Sequence, residues 1–232
     1  MLPLYRYSAE RARHNDELDL WRESRDENIR CRDFLDKQIA EKFDGMRLPD
    51  ECAENTVKEF GYDRTMWVIA NTILERRGDG RFHKENIDWA KRFNIPKSNS
   101  NYEFALNSHS YTVDGQASDV RKMYDALGLF SGKHIVQSDE PQDYEGKLLI
   151  LRDISLKEKY RTPENQLFLA NGGFGCSPTA VGRKVFGHFL SDGEKTQFNR
   201  QDFIGVIADE HIPDWAREKL EQTQSDSPEM KM

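Results

Sequence analysis

Apolar residues recur at helical spacing through the first half of the chain. Between Leu20 and Phe43, the apolar positions Cys31, Leu35 and Ile39 lie four residues apart in a segment that is otherwise rich in charged residues. A single apolar stripe of this kind is typical of an amphipathic helix that packs one face against a core. The pattern therefore predicts a long helix here.

A second amphipathic helix is predicted from Asp63, a natural N-cap residue, to about Arg77. Gly61 is expected to separate it from the helix before it, because glycine weakens a helix interior and readily leaves the helical conformation. Shorter helices with the same spacing complete this half, so residues 1 to about 95 are predicted to be helical.

The middle of the chain has a different character. Residues 97–113 read as a linker that becomes extended, and Asp114 or Ser118 can cap the short helix that follows. The segment from Ser131 to Gly146 carries several acidic residues and a proline. It is predicted to be an exposed acidic loop at a domain boundary.

The second half shows the signals of β structure. Leu148–Leu151, Leu167–Leu169 and Phe203–Ile207 read as short strands, and Asp192-Gly193 lies between two further extended segments. An Asp-Gly pair in that setting is a strong hairpin signal, because both residues tolerate the positive φ of a tight turn. The sequence therefore predicts a small antiparallel sheet.

These elements predict an α+β fold, with a helical N-terminal half followed by a small antiparallel β unit and a C-terminal helix that starts at Asp214. The expected organisation is a helical domain, a linker with one helix and the acidic loop, the β unit with its closing helix, and a disordered tail. Their boundaries are 1–96, 97–146, 147–222 and 223–232.

Composition limits the classes of function. The formal net charge is −7 over 232 residues, which disfavours a broad non-specific phosphate-binding surface and leaves a local basic strip open. Three isolated cysteines, without the spacing of a zinc site, favour a reducing compartment. The first residues lack the apolar core of a secretory signal, and no apolar run reaches the length of a membrane span. We therefore expect a cytoplasmic protein.

No arrangement in the sequence predicts a catalytic or metal site. The run from Asn171 to Gly175 lacks the Gly-Lys-Ser/Thr of a phosphate loop and is better explained as a bend after a strand. Cys176 and His188 could act as nucleophile and base, but the sequence shows no partner that would orient them. The histidines lack metal-site spacing. We expect a non-enzymatic protein without a cofactor.

Basic and aromatic residues share the predicted hairpin and the glycine-rich segment before it. The candidate binding residues are Phe174, Arg183, Lys184, Lys195 and Arg200. Basic residues interleaved with aromatic ones on a β surface can bind single-stranded nucleic acid by phosphate contact and base stacking. A strand that buries its aromatic residues and exposes its charged ones shows the same alternation, so both interpretations stay open.

Two blocks of sequence point to a family. The first is LWRESRDENIRCRDFLDKQIAEKFDGMRL with the later FGYDRTMWVIANTI, and the second is YRTPENQLFLANGGFGCSP with GRKVFGHFLSDGEKTQFNRQDFIGV and IPDWAREKL. Together they resemble an uncharacterised family, a domain of unknown function, among the accessory proteins of conjugative and phage-like elements of Gram-positive gut bacteria.

This resemblance implies a biological context and supplies no catalytic residues. Accessory proteins of such elements often act against host defences or in plasmid transfer. We therefore expect a non-enzymatic protein that binds and inhibits a host defence nuclease, with a CRISPR effector as the leading partner, because an acidic surface suits basic nucleic-acid channels. The alternative is a nucleic-acid-binding accessory factor in conjugative transfer.

Overall fold

The computed structural model describes residues 2–96 and 104–225, which form two compact units. The helical unit is Met1–Ala126, and the unit that holds a β-sheet is Leu127–Met232. The predicted α+β fold, with helices first and then an antiparallel sheet and a final helix, is confirmed. Within the described ranges, no helix combines the length and the apolar character needed to cross a bilayer.

The described part of the first unit contains five α-helices. They are α1 (Ala9–His14), α2 (Leu18–Lys42), α3 (Glu51–Glu75), α4 (Lys84–Ala90) and α5 (Ser110–Asp125). Helix α3 packs against α2 and α5 and brings fully buried residues such as Val68 and Ile69 to the core. The α2 stripe of Cys31, Leu35 and Ile39 faces the same core, which confirms the predicted amphipathic helix.

Helix α3 is kinked at Gly61, which has φ 80° and ψ 165°. Glycine reaches a positive φ without the steric cost that a Cβ would add. The predicted interruption is therefore present, although the two segments join directly, with no loop between them.

Helix α5 begins earlier than the sequence predicted. Residues 110–113, assigned to the linker, form its first turn, and Asp114 lies inside the helix. Asp36 on α2 holds the preceding loop, because its carboxylate accepts hydrogen bonds from the backbone amide (3.0 Å) and hydroxyl (2.5 Å) of Ser108. A long-range contact thus helps to position this helix start. Residues 97–103 of the predicted linker lie outside the described residues.

The described part of the second unit contains five strands and two α-helices. They are β1 (Leu148–Leu151), α6 (Pro163–Gln166), β2 (Leu167–Gly172), β3 (Lys184–Phe189), β4 (Lys195–Asn199), β5 (Phe203–Val206) and α7 (Asp214–Ser225). The strands form one antiparallel sheet in the order β4-β3-β2-β1-β5, which confirms the predicted strands and hairpin. Helix α7 runs past residue 223, where the tail was predicted to start, and 226–232 lie outside the described residues.

One face of the sheet carries the larger apolar core of the second unit. It buries Phe168, Val185 and Phe203 in a core that also includes Tyr144 and Cys176. These residues come from strands across the sheet and from the segments that flank it, so this face is the centre of the second unit.

The opposite face is covered only in part. It buries Leu148, Ile150 and Leu167, and α7 packs over it through Ala216 and Trp215. The residues that β3 and β4 contribute to this face are exposed or half-buried. The fold therefore leaves one corner of the sheet open.

The acidic loop that the sequence predicted carries exposed carboxylates at Asp139, Glu140 and Asp143. The division between the two units falls ahead of it, after Ala126. Helix α5 therefore belongs to the first unit.

Candidate functional site

Strands β3 and β4 place three cross-strand pairs on the open corner of the sheet. The pairs are Lys184–Asn199, Phe186–Gln197 and His188–Lys195. Directly paired residues of an antiparallel ladder point to the same side, and successive residues of a strand point to opposite sides. Of the two intervening pairs, Val185–Phe198 packs in the core on the covered face. We call the six open-face residues the hairpin strip.

The Asp192-Gly193 turn sets the register of the strip. Gly193 has φ 76°, and the Asp192 carboxylate accepts a hydrogen bond from the backbone amide of Glu194 (2.9 Å). The backbone amide of Phe189 donates to the carbonyl of Glu194 (3.0 Å) and closes the hairpin. Because a slip by one residue would send every side chain to the other face, this turn keeps Phe186 on the open side.

The hairpin strip combines an exposed aromatic ring with exposed lysines. Phe186 is 50% exposed, and Lys184 and Lys195 are exposed and make no ion pair with a described residue. None of the six strip positions carries a carboxylate. The nearest acidic residues in sequence are Asp192 and Glu194 in the turn and Asp202, whose carboxylate accepts a hydrogen bond from the backbone amide of Asn199 (2.7 Å). The strip is therefore locally basic in a chain that is acidic as a whole.

His188 is a neutral member of the strip at neutral pH. Burial lowers its pKa below the ordinary value for histidine, and the neighbouring Lys195 lowers the pKa further. The side-chain amide nitrogen of Asn171 lies 3.3 Å from Nδ1 of His188. The imidazole thus offers hydrogen bonds near pH 7 and becomes a cation only when the pH falls below its lowered pKa.

The β2–β3 connection adds exposed apolar surface beside the strip. Phe174 is 85% exposed and Val181 is 78% exposed. Gly173, with φ 108°, lies against the Phe186 ring, since a Cβ built there would meet Cδ2 of Phe186 and the carbonyl oxygen of Lys184 at 2.7 Å. Glycine at this position therefore lets the Phe186 ring lie against the connection, next in sequence to Phe174.

The glycine-rich run is a packed bend. A Cβ at Gly175 would lie 2.5 Å from the carbonyl oxygen of Arg183 and 2.7 Å from that of Lys184. The backbone of β3 thus occupies the space in front of Gly175, and the next residue, Cys176, is buried. These contacts support the interpretation of the run as a bend after a strand rather than as a phosphate cradle.

Arg200 does not join the strip. Its guanidinium donates to the backbone carbonyls of Gly175 and Cys176 (2.9 Å each) and of Gln142 (2.5 Å). It also lies 3.7 Å from the centroid of the Tyr144 ring. Because Tyr144 and Cys176 belong to the core of the covered face, Arg200 acts as a structural clamp there, which corrects its assignment as a binding residue.

The other predicted binding residues lie on or beside the strip. Lys184 and Lys195 are members of it, and Phe174 and Arg183 border it, with Arg183 exposed and without an ion pair to a described residue. The sequence-based selection lacked four members: Phe186, His188, Gln197 and Asn199. The two-residue periodicity of a strand predicts these positions, because each lies two or four residues from Lys184 or Lys195 on the same strand and therefore on the same face.

Cys176 and His188 lie on opposite faces of the sheet. Cys176 is 3% exposed in the covered core, and burial raises the pKa of its thiol. His188 pairs with Leu169, which packs on the other face. The two residues therefore do not form a nucleophile and base pair. Among the described residues, no group of three or more His, Cys, Asp or Glu side chains is placed to hold a metal ion.

Comparison with known proteins finds a family for the first unit. A family model described as "Protein of unknown function (DUF3849)" matches residues 4–125, which is more than half of the chain. The match ends at the end of the first unit, so the hairpin strip lies outside the matched residues. No curated protein and no solved structure gives a significant match.

Proposed function

The chain belongs to the DUF3849 family, whose function is unknown, and from this premise we propose that it is a non-enzymatic protein that binds single-stranded nucleic acid through the hairpin strip. The main support is the exposed Phe186 ring, which lies on an open sheet face beside two lysines that form no ion pair with any residue the structure describes. We assign this binding to an accessory role in a conjugative or phage-like element, in the cytoplasm, because of the resemblance of the two sequence blocks.

Phe186 would provide the stacking surface. Every base has a π face, so stacking on an aromatic side chain tolerates any sequence and contributes about 1–3 kcal/mol per base. Phe174, at 85% exposure, offers a second ring beside the strip. In a duplex the bases are already stacked on one another, so two exposed rings favour single strands over double strands.

The lysines are spaced to reach phosphates on either side of a stacked base. Lys184 and His188 lie four residues apart on β3, which is about 13 Å at roughly 3.3 Å per residue, and Lys195 lies opposite His188. A strand laid along β3 would pass Lys184, stack a base on Phe186 and then reach Lys195. At about 3.4 Å per stacked nucleotide, the strip accommodates no more than about four nucleotides.

The other polar members of the strip can contact base edges. Gln197 lies opposite Phe186, and Asn199 lies opposite Lys184. Carboxamide side chains both donate and accept hydrogen bonds, so they can meet any base without selecting one strongly. The net charge of −7 for the whole chain disfavours phosphate binding outside the strip.

Charge reversal on the strip tests the proposal. We expect Lys184→Glu combined with Lys195→Glu to weaken the binding of a short oligothymidylate at least about 10-fold, because two phosphate contacts are replaced by repulsion.

The variant Phe186→Ala is expected to weaken the binding of the same oligonucleotide about 5- to 100-fold, because the stacking of a base on the ring is lost. Fluorescence anisotropy titrations at several salt concentrations measure both effects, and the double variant should reduce the salt slope by about 1.4.

The matched control carries the same charge change elsewhere on the second unit. Lys133 and Lys147 are exposed and lie outside the strip, so Lys133→Glu with Lys147→Glu should leave most of the affinity intact. Equal weakening by the two double variants, or no binding of the unmodified protein at low salt, would contradict the proposal.

Protonation of His188 adds a cation to the strip, so the affinity for the oligonucleotide should rise as the pH falls, and His188→Gln should remove that rise.

The exposed acidic loop favours a second function, the inhibition of a host defence nuclease. Asp139, Glu140, Asp143 and Glu145 are all exposed within a short irregular segment. Carboxylates arranged along an extended segment carry negative charge as a nucleic-acid strand does, so the loop suits a basic nucleic-acid channel. A CRISPR effector nuclease is the leading partner for this role.

Size-exclusion chromatography with a CRISPR effector nuclease, with and without its guide RNA, tests this second function. We expect co-elution with the effector and slower cleavage of target DNA. Asp139→Lys with Glu140→Lys should abolish both effects, whereas Lys184→Glu with Lys195→Glu should preserve them. Separate elution together with unimpaired cleavage would rule out inhibition of that effector.

A further inference from the structure

Strand β4 forms an edge of the sheet, and its outer side has no neighbour among the described residues. The strand order β4-β3-β2-β1-β5 leaves two edges. The β5 edge is partly occupied, because Ile207 forms an antiparallel bridge with Ile135 and the backbone amide of Val136 donates to the carbonyl of Val206 (2.9 Å). No described residue forms a backbone bond of this kind with the outer side of β4. The fold therefore covers part of one edge and leaves the other open.

The register of the hairpin shows which backbone groups of β4 point outwards. The backbone amide of Arg200 donates to the carbonyl of Arg183 (2.9 Å), and in an antiparallel ladder only every second pair exchanges hydrogen bonds. Lys195 and Gln197 lie an odd number of residues from Arg200, so their N–H and C=O groups point away from β3. None of these groups has a hydrogen-bond partner among the described residues. An exposed edge of this kind is a template for another strand.

A second copy of β4 fits this edge in a register centred on Gln197. Two-fold antiparallel pairing would place Gln197 opposite its own copy and Lys195 opposite Asn199 of the second copy, so that the amides of Lys195 and Gln197 donate across the edge. The amide of Asn199 already donates to Asp202 (2.7 Å), but its carbonyl can accept.

The usual barriers to edge pairing are weak in this register. Proteins protect edge strands with proline, bulges and lysine, and β4 contains no proline and no irregularity in its pairing with β3. The two copies of Lys195 would lie four residues apart along the strands, which is about 13 Å at roughly 3.3 Å per residue. Like charges would therefore not face each other.

The same register also matches apolar groups on the opposite side of β4. Phe198 packs against the core of the covered face but is only half-buried. It would lie opposite Thr196 of the second copy, which is also half-buried in each chain. Cross-strand pairs of an aromatic and a β-branched residue stabilise a sheet. Pairing would thus cover apolar surface as well as satisfy backbone groups.

We propose that two copies of the chain pair through β4 into one continuous antiparallel sheet that carries two hairpin strips on the same face. Directly paired residues of an antiparallel ladder point to the same side, so both open faces would be on one side. At about 4.8 Å between neighbouring strands, the two β3 strands would lie about 14 Å apart. Where the strip binds single strands, as proposed above, one long strand can contact both strips and gain affinity through effective concentration.

Sedimentation equilibrium of the full chain over a dilution series tests the pairing. We expect a dimer that dissociates on dilution. Gln197→Pro should raise the dissociation constant of the dimer at least about 10-fold, because both donors at the two-fold axis are lost and the facing carbonyls stay unbonded. The amide of Gln197 points away from β3, and edge strands accept proline at such positions, so the hairpin itself is preserved.

Charges at the axis test the register without a proline. Gln197→Lys and Gln197→Glu should each weaken the dimer about 2- to 5-fold, because like charges would then face each other. An equimolar mixture of the two variants should recover the association, because opposite charges meet. Gln201→Lys is the matched control, since Gln201 is exposed and lies outside β4, and it should leave the dimer unchanged.

Three results would overturn the pairing: a monomer at every concentration, a dimer that Gln197→Pro leaves intact, or a mixture of the charged variants that associates no better than either alone. A monomer would leave the edge to an extended peptide of a different protein. Phe186→Ala separates the interface from nucleic-acid binding, because it should weaken oligothymidylate binding and leave the dimer unchanged. A dimer that binds no oligothymidylate would refute the function of the strip and support the interface.

Discussion

Replacing Phe168 by alanine is expected to lower the free energy of unfolding of the second unit by about 3–5 kcal/mol. The ring is fully buried, and its centroid lies 5.5 to 5.8 Å from the centroids of Phe189, Phe198 and Phe203. It also lies against Gly187, where a Cβ would approach the ring to 2.5 Å. Truncation would leave a cavity among three rings that the paired strands hold apart, so the core could not collapse to fill it.

Hydrogen exchange measured by mass spectrometry resolves this effect by unit. Peptides from β1 to β5 should exchange faster in the Phe168→Ala variant, whereas peptides from α2 and α3 should not change. Phe186→Ala is the matched control, since Phe186 is on the open face and 50% exposed, and it should cost less than about 1 kcal/mol. Similar losses from the two variants would contradict the assignment of the two residues to opposite faces.

The sequence predicts most of the sheet because its signals are local. The alternation in β3 and β4 and the Asp192-Gly193 turn together specify which residues share a face. Side chains alternate between the two faces of a strand, so the pattern that places Lys195 on the open face predicts Phe198 and Arg200 on the covered face. The structure has both residues on that face. The charge of a basic residue alone does not distinguish one that donates to buried carbonyls, as Arg200 does, from one exposed to solvent, as Lys184 is.

Features that depend on distant residues could not be predicted in this way. Helix α5 starts at Ser110 behind His109, which is outside the common N-cap residues, after a loop that Asp36 holds from α2. Packing around Trp67 likewise joins segments as far apart in sequence as Tyr5 and Phe104. No local period brings such positions together, because tertiary packing places them.

Replacing Arg64 by methionine is expected to lower the free energy of unfolding of the first unit by about 2–4 kcal/mol. Arg64 is 2% exposed on α3, and its guanidinium donates to the carbonyl of Ser24 (2.8 Å) and the side chain of Asn28 on α2. It also donates to the carbonyls of Leu2 (2.9 Å) and Pro3 (3.2 Å). Methionine has a similar length but no donors, so the buried oxygens of Ser24 and Asn28 would lose this partner.

Urea unfolding followed by hydrogen exchange of α2 and α3 peptides measures this loss. Arg22→Met is the matched control, because Arg22 is an exposed α2 residue that pairs with Asp19 at 3.0 Å, and surface pairs of this kind contribute little. A loss no larger than that of Arg22→Met would contradict the assignment of Arg64 as a buried clamp of the first unit.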